Sequence, residues 1–344
     1  MKFCMQAVAS VILSLMLGAP TLAQQVSNQT LNVDGLQRKY ILVLPDNFDP
    51  AEHLPVVMWA HAGEGTAQIG MELEADFRPL VNTGRFIAVY PEAWPDFEQC
   101  LCWGYDLGLG ETNGNYEIDL DFIDALIDEL VDAHGADRDR MYFGGYSLGG
   151  SFTWDVACAM SDKIAAITPV AASMWYSTFD NGCDAALPTA VCHILGTNDF
   201  YAPYEGGWVP SAAEQHAFWV QKNQSNPVPD QTNLGGGVTR YTWAEVPDSC
   251  HGVQHFRIQN GEHDVPAFTE QSMWAFVSQY ALDGVIECVG GCDGDFNGDG
   301  TRDVNDILTA IGAFGNGDGG DVDGDGDTDV SDILELLNLF GEDC

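Results

Sequence analysis

Basic residues are scarce in this chain. Its 344 residues include 12 Lys and Arg against 52 Asp and Glu, which gives a formal net charge of −40 at pH 7. Nucleic-acid binding needs basic patches that neutralise phosphates, so this balance excludes nucleic acid as a partner and disfavours anionic membrane surfaces. No apolar run is long enough to span a bilayer, and the 38 glycines show no collagen period. With 46% hydrophobic residues, the chain can still bury a core.

The first 23 residues have the pattern of an export signal. Lys2 precedes an apolar run from Ala7 to Leu17, and small residues stand at Thr21 and Ala23. The run is too short to cross a membrane, and the whole pattern is typical of a cleaved signal peptide. We therefore expect a signal peptide over 1–23 and a secreted, extracellular protein.

Nine of the ten cysteines follow this segment. None of them has the paired spacing of a zinc site, and outside the cytosol most should form disulfides. An odd number leaves one thiol free or bound to another chain. The sequence leaves the pairing of the others open.

The composition changes near residue 288, after which glycine and aspartate dominate. A motif that begins at Asp295 recurs 26 residues later, at Asp321. Each copy has side-chain oxygens at positions 1, 3, 5, 7, 9 and 12 and glycine at position 6, the pattern of an EF-hand calcium loop. The loops at 295–306 and 321–332 therefore predict two structural Ca²⁺ ions. The predicted ligands are Asp295, Asn297, Asp299, Thr301, Asp303 and Asp306, and then Asp321, Asp323, Asp325, Asp327, Asp329 and Asp332.

Two calcium loops, each followed by one helix, resemble the dockerin module. The resemblance covers about 292–343 and implies calcium-dependent folding and a cohesin-like partner. Dockerins that bind cohesins have a Ser-Thr pair at loop positions 10 and 11. This chain has Val304-Asn305 and Val330-Ser331 there.

Before this tail, the chain alternates between apolar runs and helical patterns. Continuous apolar runs are typical of a mostly parallel sheet that helices cover on both faces, so we expect an α/β fold over 24–287 and a small α-helical module over 288–344. A helix is expected over 117–134, because acidic residues fill its first turns and an apolar stripe follows one face. The predicted strands are Tyr40–Leu44, Val56–Trp59, Phe86–Tyr90, Met141–Gly144, Ala165–Val170, Ala190–Leu195, Thr239–Glu245 and Phe256–Gln259.

A serine flanked by glycines lies between a predicted strand and a predicted helix. The segment Gly145-Tyr146-Ser147-Leu148-Gly149 has the G-x-S-x-G pattern of a nucleophile elbow. Such a turn is sharp, so the residues two positions before and after the serine must be small. Ser147 is therefore the predicted nucleophile, with an ordinary glycine-rich turn as the alternative.

A serine nucleophile needs a histidine base, which in turn needs an orienting acid. In this fold the chain order is serine, acid, histidine. His263 lies between a late strand and the last helix of the large domain, and Asp199 follows the strand Ala190–Leu195. These two residues are the predicted base and acid. The less well placed alternatives are His251 and His255 for the base, and Asp180, Asp184 and Asp248 for the acid.

An oxyanion hole needs two backbone donors. One is expected from Leu148, the residue after the nucleophile, and the other from Ala62 or Gly63 in the loop after an early strand. Aromatic residues near these segments offer a surface for a sugar or an aromatic acid. The candidate substrate-binding residues are Trp103, Tyr146, Trp175, Tyr201 and Trp208.

These motifs, in this order between Gly35 and Leu282, resemble secreted polyhydroxybutyrate depolymerase and feruloyl esterase-like α/β-hydrolases. The resemblance implies the α/β-hydrolase fold, a triad of Ser147, Asp199 and His263, and no cofactor for catalysis. The chain departs from the family pattern at Ala62, at Leu195 and at Val265, where the family has glycine, histidine and tryptophan.

The resemblance therefore implies a secreted serine esterase that acts on polymer-linked esters. We expect feruloyl or acetyl esters of plant-type polysaccharide, with a polyester of the polyhydroxybutyrate type as the alternative substrate. A different class of function, a non-catalytic calcium-dependent adhesion or scaffold protein, also fits an acidic calcium-binding tail.

Overall fold

The computed structural model describes residues 24–96, 98–105, 114–183, 186–245 and 250–286. In the acidic tail it describes residues 294, 296, 302–315, 320, 322 and 328–341. The predicted signal peptide and eight of the twelve predicted calcium ligands lie outside these residues.

One sheet of ten strands forms the centre of the large domain, in the order β1-β2-β4-β3-β5-β6-β7-β10-β9-β8. The strands from β4 to β10 in this order run parallel, and the pairs at both edges are antiparallel. The ten strands are β1 (Gln25–Val33), β2 (Leu36–Leu44), β3 (Val56–Ala60), β4 (Ile87–Pro91), β5 (Met141–Tyr146), β6 (Ala166–Val170), β7 (Ala190–Gly196), β8 (Asp230–Gly235), β9 (Val238–Trp243) and β10 (Val253–Ile258). A separate two-stranded pair joins β11 (Tyr280–Ala281) to β12 (Gly284–Val285).

Helices cover both faces of this sheet. Successive strand residues point to opposite faces, so Met58 of β3 packs in one apolar cluster and its neighbour Val57 packs in another. Both predicted layers of helix are present, and the predicted α/β architecture is confirmed. The helices are α1 (Ala67–Ile69), α2 (Arg78–Gly84), α3 (Tyr116–His134), α4 (Leu148–Ala159), α5 (Ala212–Lys222), α6 (Thr269–Val277), α7 (Val304–Ala313) and α8 (Val330–Leu339). Three further helical segments are not α-helical: Pro50–Glu52 is a 3₁₀ turn, and Gly70–Glu74 and Thr178–Gly182 are π-helical.

Within the described part of the chain, no helix combines the length and the apolar character that a bilayer crossing requires. Two disulfides join described cysteines to each other, Cys100–Cys102 and Cys158–Cys183, and Cys250 is also disulfide-bonded. Among the described cysteines, the buried Cys192 is the free thiol.

The two tail helices begin in the same way. Asp303 caps α7 and Asp329 caps α8, each in a capping box with the aspartate three residues later. Such a cap satisfies backbone N–H groups that a helix start leaves unpaired. Ala310 and Leu336, one from each helix, are buried in a small apolar cluster with Val322.

Candidate active site

Ser147 lies in a sharp turn between β5 and α4. Its φ of 57° and ψ of −120° are unusual for a residue with a side chain. A Cβ atom at Gly149 would lie 2.2 Å from the carbonyl oxygen of Ala60, and one at Gly145 would lie 2.5 Å from that of Gly149. Only glycine fits at these two positions, so the pattern in the sequence has a steric cause. The turn holds the serine at the carboxyl end of the strand.

The structure brings the predicted nucleophile, base and acid together. Ser147 Oγ lies 2.8 Å from His263 Nε2. On the other side of the ring, His263 Nδ1 lies 2.9 and 3.0 Å from the two carboxylate oxygens of Asp199. Asp199 follows the end of β7, and His263 follows the end of β10, which pairs with β7 in parallel. Neighbouring parallel strands thus deliver the acid and the base to one edge of the sheet.

Backbone groups and a tyrosine hold this arrangement. Asp199 is buried, and its Oδ1 accepts the N–H groups of Tyr201 and Ala202 at 2.9 and 2.8 Å. The carboxylate is thus fixed as an acceptor for the His263 ring. Tyr146 donates its hydroxyl to the carbonyl oxygen of His263 at 3.1 Å, and its ring lies beside the imidazole. Burial raises the pKa of Tyr146 to about 12, so the hydroxyl keeps the proton that it donates.

The structure separates the two candidates for the second oxyanion donor. The N–H of Ala62 donates to Glu74 Oε1 at 3.0 Å and is therefore engaged, which is contrary to the expectation that it could serve the oxyanion. Gly63 lies next to the first donor, since a Cβ at Gly63 would be 3.4 Å from Leu148 Cδ2. Gly63 remains the candidate for the second donor.

Trp103 supports this loop from inside the core. It is fully buried, and its ring stacks on Phe152 with centroids 4.7 Å apart. Its Nε1–H donates to the carbonyl oxygen of His61 at 2.9 Å. The prediction of Trp103 as a substrate-binding residue is therefore wrong, because no face of the ring is open to a ligand.

A buried ion pair that no sequence pattern predicts holds the neighbouring segment. Asp119 accepts hydrogen bonds from Arg38 at 2.6 Å and from the N–H groups of Trp94 and Gly104 at 3.1 and 2.8 Å. Burial raises the pKa of Asp119, and the charge of Arg38 opposes this shift. The sequence shows Asp119 only as an acidic residue in a first helical turn, which explains why its second function was missed.

A cavity of about 150 Å³ opens beside Ser147. Of the predicted aromatic residues, Trp175, Tyr201 and Trp208 line it, and the rings of Trp175 and Trp208 lie 6.0 Å apart. Trp208 is 55% exposed. Tyr146 instead contacts His263.

Two polar atoms of residues that line this cavity have no hydrogen-bond partner among the described residues. They are Ser173 Oγ and Trp175 Nε1, and both are buried. A buried donor without a partner costs about 1–3 kcal/mol.

In the tail, four predicted calcium ligands are described. Asp303 and Asp329 cap the helices, and Asp306 and Asp332 are buried. Asp332 accepts backbone N–H groups from Val322 and Asp329, both at 2.7 Å. Asp306 likewise accepts the backbone N–H of Asp303, at 2.8 Å.

Known proteins resemble about three quarters of this chain. No protein-family model matches the chain. The bifunctional acetylxylan esterase/xylanase XynS20E of Neocallimastix patriciarum is 24% identical over 263 residues, which cover 76% of this chain and 36% of the relative. Feruloyl esterase B of Piromyces equi is 26% identical over 260 residues, covering 71% of this chain and 46% of the relative. This chain thus spans less than half the length of these two relatives.

Solved structures share the fold. The acetyl xylan esterase from Aspergillus awamori superposes with a TM-score of 0.53 at 17% identity, covering 73% of this chain and 99% of that one. A thermostable esterase superposes with a TM-score of 0.52 at 16% identity, covering 74% and 63%. With its strand order, its elbow between β5 and α4 and these likenesses, the large domain has an α/β-hydrolase fold.

Proposed function

We propose that this protein is a serine carboxylic-ester hydrolase. The observation that carries the proposal is the contact series from Ser147 Oγ through the His263 ring to the Asp199 carboxylate, with distances of 2.8 and 2.9 Å. This arrangement activates a hydroxyl that would otherwise be a weak nucleophile. It also argues against a purely adhesive or scaffolding protein, for which no such contacts are needed.

The geometry supports a two-step reaction. Ser147 Oγ attacks the ester carbonyl carbon while His263 Nε2 takes its proton, and Asp199 stabilises the imidazolium that forms. The N–H groups of Leu148 and Gly63 stabilise the oxyanion. His263 then gives the proton to the leaving alkoxide, which departs as the alcohol. Water, deprotonated by His263, attacks the acyl-serine, and the acid leaves as Ser147 regains its proton.

Esters on plant polysaccharide are the proposed substrates. The names of the relatives, acetylxylan esterase and feruloyl esterase, support this class. Within it the cavity favours an aromatic acyl group, since about 150 Å³ is the size of a cavity that holds one benzene ring.

The activity is tested by turnover of methyl ferulate, methyl cinnamate, acetylated xylan and a short-chain polyhydroxybutyrate. We expect hydrolysis of methyl ferulate and its loss in Ser147→Ala, with Ser272→Ala on α6 as the matched control. Full activity in Ser147→Ala, or no turnover of any ester, would contradict the proposal. A preference for the polyester would reject the polysaccharide substrate and keep the esterase.

We further propose that the protein is exported. Cys100–Cys102 and Cys158–Cys183 form disulfides, and such bonds persist in oxidising compartments. If the predicted signal is cleaved after Ala23, N-terminal sequencing of the exported protein should begin at Gln24. An intact N-terminus on exported protein would reject this cleavage site.

For the tail we propose a dockerin-like module that needs calcium to fold. The residues fit the ion: the loops carry the oxygen donors that Ca²⁺ prefers, and the buried Asp306 and Asp332 stand at the last ligand position of each loop. Three apolar residues on each helix and the phenylalanine that follows it are about half exposed and correspond between the repeats: Val304, Leu308, Ile311 and Phe314, and then Val330, Leu334, Leu337 and Phe340. This repeated apolar face supports partner binding, for which a cohesin-like protein is the partner that the resemblance implies.

Chelation tests the module. We expect EDTA to remove helical signal in circular dichroism and leave ester hydrolysis unchanged, because none of the predicted calcium ligands belongs to the triad. Added Ca²⁺ should restore the signal. A spectrum that EDTA leaves unchanged would contradict calcium-dependent folding.

A further inference from the structure

Three buried histidines outside the triad come together in the large domain. His193 is on β7, His255 is its register partner on β10, and His216 is on α5. They are 0, 1 and 4% exposed, and one ring nitrogen of each lies within 4.8 Å of the others. We call these residues the histidine cluster. Nothing in the proposed ester hydrolysis uses it.

Hydrogen bonds to backbone carbonyls fix two of the three rings. His193 Nε2 donates to the carbonyl oxygen of Ala172 at 2.9 Å, which leaves the lone pair of this ring on Nδ1. His255 Nδ1 donates to the carbonyl oxygen of His193 at 3.0 Å, which leaves its lone pair on Nε2. Histidines that bind metals usually donate their other N–H in this way, because the bond sets the tautomer and the ring orientation.

The spacing within the cluster suits one small cation. His193 Nδ1 lies 3.0 Å from His216 Nε2. Two nitrogens bound tetrahedrally to one zinc ion, at bond lengths of about 2.0–2.1 Å, are about 3.3 Å apart. In the metal-free protein, His216 donates the proton on its Nε2 to His193 Nδ1. When an ion binds, the proton of His216 moves to its Nδ1, and the ion then lies between His216 Nε2 and His193 Nδ1.

The rings are also in the right charge state. Burial lowers the pKa of His193 to about 4 and lowers the pKa values of His216 and His255 well below 6.5. The neighbouring Arg257 lowers the pKa of His255 further. At neutral pH all three are therefore neutral imidazoles, which is the form that binds metals.

A large cavity gives access to the cluster. His216 and His255 line a cavity of about 690 Å³ together with Tyr204, Tyr241 and Trp243. The hydroxyl of Tyr204 lies 3.0 Å from His255 Nε2. A cation at the cluster would thus have three nitrogen ligands from the protein and a fourth position on the cavity side, for this hydroxyl or for water.

We propose that His193, His216 and His255 bind one divalent transition-metal ion of the zinc type. Imidazole nitrogens suit zinc, cobalt and copper, whereas Ca²⁺ and Mg²⁺ prefer oxygen, so the site is distinct from the acidic loops of the tail. The ion joins β7, β10 and α5. Because β7 leads to Asp199 and β10 leads to His263, it stabilises the two strands that hold the acid and the base of the triad.

The test uses the full chain with Ca²⁺ in excess, so that the tail loops are saturated. Metal-depleted protein is titrated with Co²⁺ alone. We expect one equivalent of Co²⁺ with the strong visible absorption of a tetrahedral site, displaced by one equivalent of Zn²⁺. His216→Gln should weaken binding at least about 100-fold, since even loss of a supporting hydrogen bond costs 10–100-fold. The exposed His53 supplies the control, His53→Gln, in which the affinity should not change.

A second measurement uses the wild-type protein, so its result does not depend on whether a variant folds. X-ray absorption of zinc-loaded wild-type protein should show three imidazole nitrogens at about 2.0–2.1 Å. A shell of oxygens only, or a Co²⁺ spectrum of octahedral type, would place the ion in the acidic loops and overturn the proposal. Equal affinity in His216→Gln, or no binding by folded wild-type protein, would reduce the histidine cluster to a hydrogen-bonded packing motif.

Discussion

The large domain and the acidic tail are stabilised by different means. In the large domain, strand side chains on both faces of the sheet are buried, and Val57 and Met58 are both fully covered. In the tail, α7 and α8 bury Ala310 and Leu336 but leave Leu308 60% exposed. Burial of apolar surface is the main force in folding, so the first region has a core of its own. The described part of the second buries few apolar side chains, and we propose that its fold depends on calcium bound by its loops.

The two regions also carry different chemical groups, catalytic residues in the large domain and predicted calcium ligands in the tail. A catalytic group must be held by packed surroundings, and Asp199, His263 and Ser147 meet where buried strands end. The tail carries its oxygen donors on short glycine-rich loops, which suit a flexible calcium shell. We therefore expect substitutions to affect activity or calcium-dependent structure, and only rarely both.

The largest effect is expected from Asp199→Asn. An amide at this position stabilises the wrong tautomer of His263, so kcat should fall by about 10⁴-fold. The measurement is methyl ferulate turnover, with Ca²⁺-dependent circular dichroism on the same sample. The tail signal should be unchanged. A loss of less than tenfold would mean that another group orients the histidine.

Replacing Trp103 or Trp208 by alanine should change the free energy of unfolding by very different amounts. Trp103→Ala removes a fully buried ring that stacks on Phe152, and such truncations cost about 3–5 kcal/mol. Trp208→Ala removes a ring that is more than half exposed at the cavity, so the free energy of unfolding should change by less than about 0.5 kcal/mol.

Urea unfolding measures both variants, and kinetics on a polymeric substrate follow. We expect KM to rise in Trp208→Ala and to stay unchanged in the folded fraction of Trp103→Ala. A raised KM in Trp103→Ala together with an unchanged KM in Trp208→Ala would instead support Trp103 as a substrate-binding residue. It would also remove the argument that the core of the large domain fixes the oxyanion loop.

A smaller effect is expected from lowering the pH, which should reduce the free energy of unfolding of the large domain. Burial lowers the pKa of His61, whose Nε2 accepts the N–H of Ala93 at 3.2 Å. The folded state therefore binds a proton at His61 less readily than the unfolded state does. The stability that neutral His61 contributes to the folded state is lost as pH falls below about 6.5. Each unit of the shift corresponds to about 1.4 kcal/mol.

Thermal unfolding of the wild type and of His61→Gln between pH 7.5 and 5 measures this contribution as the difference between the two proteins. His61→Gln offers a side-chain oxygen as acceptor and does not titrate. We expect its stability to fall less steeply with decreasing pH than that of the wild type. Parallel curves for the two proteins would show that the protonation of His61 is not linked to unfolding.

Local patterns predicted the parts of the fold that have one dominant cause. The buried strands appear as apolar runs, and Gly145 and Gly149 are required sterically, so both features were visible in the sequence. The edge strands β1 and β8 were not predicted. They are polar, they are largely exposed, and they are held by antiparallel pairing to β2 and β9. Strand propensity depends on such context.

Features built from distant residues were missed for another reason. Asp119 meets Arg38 across 81 positions, and His193 meets His255 across 62. Neither pair has a spacing that a motif could record. The triad was predictable despite similar separations, because the chain order of its members is a property of the fold.

The smallest effect is expected in the tail, from Leu308→Ser. This side chain is 60% exposed on α7, so its replacement should change the calcium-dependent unfolding of the tail by less than about 0.5 kcal/mol. Leu336→Ala on α8 is the matched comparison. That side chain is fully buried, and its truncation should cost about 2–5 kcal/mol. Calcium titration followed by circular dichroism measures both. A large effect of Leu308→Ser would mean that the apolar face is already covered within the isolated protein, and the tail would then differ less from the large domain than its exposure indicates.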